Sequence, residues 1–125
     1  MTVIKNTKGF IFGGFTSIPW SSSEGFKVDR TAFLFSFTNS SNTPLKLKVK
    51  SQEYAVYHKP TWMPTFGAGY DLHVSRSSNR NRESGMDLNS YELPNGKSGV
   101  EGGKFIVGDS DNNFQTVEIE VFQVV

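Results

Sequence analysis

Apolar and polar residues alternate along most of this chain, and a period of two fits it far better than a helical period. Leu45-Lys46-Leu47-Lys48-Val49-Lys50 is strict, with leucines and valine on one face and lysines on the other. Val117-Glu118-Ile119-Glu120-Val121 repeats the pattern with acids. Successive side chains of a strand point to opposite faces, so both segments read as half-buried strands of antiparallel sheets. Residues 31–38 are denser, because Phe33, Phe35 and Phe37 interleave with Ala32, Leu34 and Ser36. Both faces there are largely apolar, which places the segment centrally in a sheet and predicts a buried Phe35. Residues 9–15 read the same way, with glycines where another backbone approaches. Further strands are expected at residues 54–58, 70–75 and 104–107.

Between these runs lie turn-forming segments: Ser21-Ser22-Ser23-Glu24-Gly25, the polar stretch 39–44, and the longest, 75–89, rich in Ser, Asn and Arg and expected to cross the surface. Short strands separated by turn signals predict an all-β fold, a two-sheet antiparallel β-sandwich with little helix. The 125 residues suffice for one domain, taken as 1–125.

Composition narrows the function classes. A formal net charge of +1 gives no global field directed at nucleic acid. Phe accounts for 11 residues, and a side chain without a polar handle belongs mostly in a core. Cysteine is absent, which removes disulfides and thiolate chemistry and suits a reducing cytosol. No apolar run is long enough to span a bilayer. The N-terminus lacks a signal peptide, so the expected location is cytoplasmic, or secreted or phagosomal where a leader has been removed.

The most specific stretch is Pro64-Thr65-Phe66-Gly67-Ala68-Gly69-Tyr70-Asp71-Leu72. Proline, two glycines and an aspartate around one phenylalanine predict a tight turn with positive φ at Gly67 or Gly69. It feeds a strand in which Leu72 and Val74 point inward and His73 outward. This segment resembles the "PTFGGGxDLxI" core of the TLDc domain family. Gly9-Phe10-Ile11-Phe12-Gly13-Gly14-Phe15-Thr16-Ser17-Ile18-Pro19-Trp20 resembles its "GyiFGGYts..W". Asp29-Arg30-Thr31-Ala32-Phe33-Leu34-Phe35-Ser36 resembles its "D..sFLFSL", and Glu118-Ile119-Glu120-Val121-Phe122 its closing "EIEVF". Four motifs in order cover roughly residues 3 to 122. Nothing matches the family's upstream "LYRxSxDGF", so a shortened domain or a fragment is expected, with a second copy as one way to cover the missing segment.

Candidate chemistry is sparse. Arg76, Arg80 and Arg82 form either an anion patch or a solvated loop; Glu83 and Asp87 follow closely, which favours the loop. Asp109-Ser110-Asp111-Asn112-Asn113 starts like a calcium loop, but Phe114 stands where the sharp turn needs glycine, so a polar turn is expected. His58 and His73 read as surface or rim histidines, although His73 and Asp71 share a strand face. Serines are plentiful, but there is no G-x-S-x-G elbow. Glu118 and Glu120 are the acids that the resemblance singles out for catalysis; as outward residues of an amphipathic strand they would instead pair with Lys46, Lys48 or Lys50. Trp62, between Pro60 and Pro64, is the best exposed aromatic, while Trp20 is assigned to the core. Asn39-Ser40-Ser41 is a glycosylation sequon that matters only in a secreted chain.

The resemblance implies a non-enzymatic protein-interaction domain without cofactors, whose relatives bind the vacuolar proton pump (V-ATPase) and protect against oxidative stress. Trp62, Phe66, Asp71, Glu118 and Glu120 are its candidate binding residues. The alternatives are a secreted or phagosomal sugar- or peptide-binding sandwich, calcium-dependent in one form, and a hydrolase using the acids of the last strand.

Overall fold

The protein is described by a computed structural model, which covers residues 1–21, 23–39, 41–59 and 64–123. In chain order its strands begin with β1 (Thr2–Asn6), β2 (Ile11–Phe15), β3 (Gly25–Lys27), β4 (Phe33–Ser36), β5 (Leu45–Val49) and β6 (Val56–His58). They continue with β7 (Thr65–Phe66), β8 (Leu72–His73), β9 (Ser84–Met86) and β10 (Tyr91–Glu92). Helix α1 (Gly99–Val107) precedes β11 (Asn113–Phe114) and β12 (Thr116–Val121). One sheet runs β10-β5-β4-β2-β1-β12 and the other β11-β9-β8-β7-β6-β3, all pairs antiparallel. Their inner faces close on one core that includes Ile4, Phe12, Leu34, Leu47, Phe66 and Leu72. This is the expected two-sheet β-sandwich.

Both strictly alternating segments are strands, but only β5 is half-buried as read; β12 lies at a sheet edge, and its apolar face is open, with Val117 54% and Val121 57% exposed. In β5, Leu47 is fully buried while Lys46 and Lys48 are exposed. In β4 the phase is resolved by packing: Leu34 faces the core and Phe33, Phe35 and Phe37 face outward. Phe35 is nonetheless 9% exposed, because its ring lies across Gly13, where a side chain would collide with it. Phe35 therefore seals the outer face of a central strand and does not fill the core.

Residues 104–107 are helical, not a strand. Lys104-Phe105-Ile106-Val107 carries β-branched and aromatic residues, and Gly102 and Gly103 weaken a helix by about 1 kcal/mol each. Tertiary packing overrides both preferences. Gly102 and Gly103 let the helix press onto the second sheet, with a Cβ at Gly103 running into the Met86 carbonyl. Ile106 and Val107 are buried, and Gly108 closes the helix at φ +70° with its N–H on Lys104 O at 2.9 Å. The other expected strands are shorter than read. Residues 52–54 form a 3-10 turn ahead of β6, and the 75–89 stretch contains β9 and three buried serines, Ser75, Ser78 and Ser84.

Gly103→Ala isolates this effect. Propensity alone favours the variant, but overpacking against the Met86 carbonyl should destabilise it by about 1–3 kcal/mol. Thermal melting decides the sign: a variant that melts at or above wild type contradicts the close helix–sheet approach.

Candidate functional site

Two buried aspartates organise the loops around the sandwich. Asp29 Oδ2 accepts from Thr16 Oγ1 at 2.7 Å and Ser17 N at 2.8 Å, and its Oδ1 from Thr31 N and Oγ1 at 2.9 and 2.7 Å. The chain leaving β2 is thereby fastened to the chain entering β4. Burial pushes the Asp29 carboxyl up, but these four donors outweigh it and hold it at about 2.

Asp71 binds the two sheets. It sits at 0% exposure just before β8. Its Oδ2 accepts three consecutive backbone N–H groups, Asn89 at 2.7 Å, Ser90 at 2.8 Å and Tyr91 at 2.9 Å. Tyr91 belongs to β10 of the first sheet, and its hydroxyl donates to Ala55 O, beside β6 of the second, at 2.6 Å. Turn 67–70 folds tightly over the carboxylate, with Gly67 at φ +85°, Gly69 at +79° and Tyr70 at +63°. A Cβ at Gly67 would strike Asp71 Oδ1. Burial pushes the Asp71 carboxyl up to about 7, against the downward pull of the three amides, and its Oδ1 has no hydrogen-bond partner.

Of the candidate binding residues, Trp62 lies outside the described residues. Phe66 and Asp71 are fully buried and offer no surface to a partner. Phe66 packs in the core, its ring edge-on to Trp20 at 5.5 Å and to Tyr91 at 6.4 Å, and this close aromatic packing explains its place in the motif. Among the described candidates only Glu118 and Glu120 are exposed, on the outer face of β12. Register sets Lys5 of β1 opposite Glu118 and Val3 opposite Glu120. Lys46 and Lys48 belong to β5, which β4, β2 and β1 separate from β12, so the expected pairing does not form. Among the described residues neither acid makes an ion pair.

The remaining candidates resolve individually. Arg82 reaches Asp109 and Asp111, both at 3.1 Å, which joins the arginine-rich loop to the polar turn before β11. His58 is buried, not at the rim: its Nδ1 meets Ser21 Oγ at 3.1 Å, its ring lies 5.0 Å from Trp20, and burial lowers its basicity. His73 faces outward as expected, beside Tyr70 at 6.0 Å. Asn39 of the sequon is 4% exposed, and its amide donates to Ser36 Oγ at 3.0 Å and Thr43 O at 2.7 Å. The folded domain thus keeps that nitrogen for its own turn. Sequence reasoning placed Asp29 at the head of a motif without giving it a role, and missed Lys5 and Tyr91. The only local signal for Tyr91 was a lone aromatic between Ser90 and Glu92.

Among the described residues no three His, Cys, Asp or Glu side chains gather closely enough to hold a metal ion. Large apolar groups stand at the surface instead: Phe37 is 59% exposed, Val121 57% and Phe122 49%. The fold and its surface define a β-sandwich whose buried carboxylates serve structure. The family model for the TLDc domain matches residues 1–125, and the chain belongs to that family. No curated protein and no solved structure matches it.

Two predictions follow from the aspartates. Gly67→Ala forces a side chain into a left-handed position against Asp71 and should cost about 2 kcal/mol or more, read from denaturant unfolding. Stability should also depend on pH with opposite signs at the two sites. Asp71, raised from the usual 3.8 to about 7, contributes fully below 3.8, and its contribution is lost as pH rises through about 7. Asp29, held at about 2, contributes fully above 3.8 and loses its contribution as pH falls through about 2. Between about pH 4 and pH 7 the Asp71 contribution alone declines by up to about 1.4 kcal/mol per pH unit, while that of Asp29 stays constant. Asp71→Asn should flatten that decline and leave the acid limb intact.

Proposed function

We propose that this domain is a non-enzymatic protein-interaction module that works in the cytoplasm, docks on the peripheral sector of the vacuolar proton pump and contributes to oxidative-stress protection. The observation that carries the reading is the surface: solvent-exposed Phe37, Val121 and Phe122 lie on and beside the first sheet. Membership of the TLDc family supports it. The hydrolase reading finds no geometric support. Glu118 and Glu120 stand side by side on an exposed strand, whereas both histidines belong to the other sheet. One observation favours the sugar- or peptide-binding alternative. Phe26, Tyr57, Tyr70 and His73 form a continuous row of rings on the outer face of the second sheet, with centroid spacings of 4.9, 5.7 and 6.0 Å.

The domain mixed with the purified peripheral sector of the pump should co-elute with it at micromolar concentration, and EDTA should change neither the complex nor the melting temperature. Absence of a complex contradicts the pump reading. A melt lowered by EDTA and restored by calcium turns the choice to the ligand-binding alternative, since a bound ion at a hundred times its dissociation constant adds about 2.7 kcal/mol.

A further inference from the structure

Strand β12 is the longest strand of the fold, with six residues, and it lies at an edge. The other edge strands are short: β10 and β11 have two residues each and β3 has three. Natural sheets keep edges short, or block them with proline, lysine or bulges, because a row of unpaired backbone groups templates another strand. From Thr116 to Val121 there is neither proline nor lysine, and the one irregularity lies at the start of the strand, where the register shifts between Lys5 and Asn6.

The backbone groups on offer follow from the ladder. Met1 and Phe122 exchange both their N–H···O bonds, each at 2.7 Å. In an antiparallel pair such positions alternate, so Val3 with Glu120 and Lys5 with Glu118 are the next bonded pairs. The N–H and C=O groups of Ile119 and Val121 therefore point away from β1, to the open side. The side chains supply selectivity. Glu118 and Glu120 project on the outer face. The other face carries Ile119 and Val121, and Val121 borders a groove of about 400 Å³ that Met1, Ile18, Trp20 and Phe122 also line.

We propose that the edge of β12 is a docking site for an extended partner segment that alternates basic with apolar residues and adds to the first sheet as a further strand. Its basic residues lie opposite Glu118 and Glu120, and its apolar residues opposite Ile119 and Val121. A second copy of this edge is disfavoured in the register centred on the strand. Antiparallel self-pairing about Ile119 sets Glu118 of each chain against Glu120 of the other, and like charges directly opposite destabilise a sheet. The same acids that repel a copy attract a basic strand, while the backbone ladder provides affinity without regard to the rest of the partner. This proposal rests on the interaction-domain reading and specifies the surface and partner chemistry for it.

The probe is a capped hexapeptide with the sequence of residues 45–50, Leu-Lys-Leu-Lys-Val-Lys; the control has the sequence of residues 116–121. In NMR titrations the basic peptide should shift the amides of Ile119 and Val121, and its affinity should fall as salt is added. The acidic peptide should bind at least about tenfold more weakly. Val121→Pro removes an outward N–H and should abolish the shift at Ile119. Glu118→Lys with Glu120→Lys should reverse the order of the two peptides, and it carries the test where the proline variant fails to fold. Equal binding of both peptides, shifts confined to another surface, or a concentration-dependent dimer that Val121→Pro dissolves would each overturn the proposal. If the basic peptide fails to bind while the pump sector still binds, this edge is wrong and the interaction reading stands. If the peptide binds at the edge and the sector does not, the edge stands and the pump reading falls.

Discussion

The carboxylate of Asp71, buried and bound by three successive amides, is the interaction on which the rest of the structure depends. A sandwich needs its two sheets held in one relative position, and apolar packing alone tolerates sliding better than directional bonds do. Asp71 stands at the start of β8 in one sheet and takes the amides of residues 89–91, which lead into β10 of the other. Tyr91 returns the connection through its hydroxyl to Ala55. An acid placed there suffers desolvation, which appears in its elevated proton affinity. The fold accepts this because removing one partner would orphan several amides at once.

That bolt frees the outer surfaces for contact. With the sheets aligned from inside, the outer face of the first sheet can carry Phe33, Phe35 and Phe37, over which Lys46 stacks at 4.3 Å from the Phe33 ring. It also leaves β12 as a long edge supported from one side only, by β1. The Asp29 carboxylate and the Asn39 amide are committed to the protein's own loops, while Phe37, Val121 and Phe122 extend into solvent.

Much of this was legible in the sequence, and the parts that were not share a physical cause. Alternation in residues 45–50 and 117–121 specified strand and phase, because one parity was wholly charged, but it did not show that Val117 and Val121 stand exposed at a sheet edge. In residues 33–37 both parities are apolar, so the sequence left the inward residue undecided, and packing across Gly13 chose Leu34. The helix at 99–107 was hidden because its end, Phe105-Ile106-Val107, prefers a strand and its glycines weaken a helix, while its packing depends on Met86 and Leu88, outside the segment. The turn around Gly67 and Gly69 was visible from composition. The burial of Asp71 was not, since its partners come from residues 89–91. Likewise the acids of β12 were evident, whereas the identity of their neighbour, Lys5 and not Lys46 or Lys48, is a matter of strand order that no local pattern encodes.

Native-state hydrogen exchange at Asn89, Ser90 and Tyr91 tests the role of Asp71 most directly. Asn89 is exposed, and its amide would exchange at loop rates if it were merely part of a turn. As one of the three donors to a buried carboxylate, it should exchange together with Ser90 and Tyr91 in the slowest class, with an opening free energy equal to that of global unfolding. Exchange of all three at the rates of exposed loops, while the amides of β2 and β4 remain protected, would contradict the account.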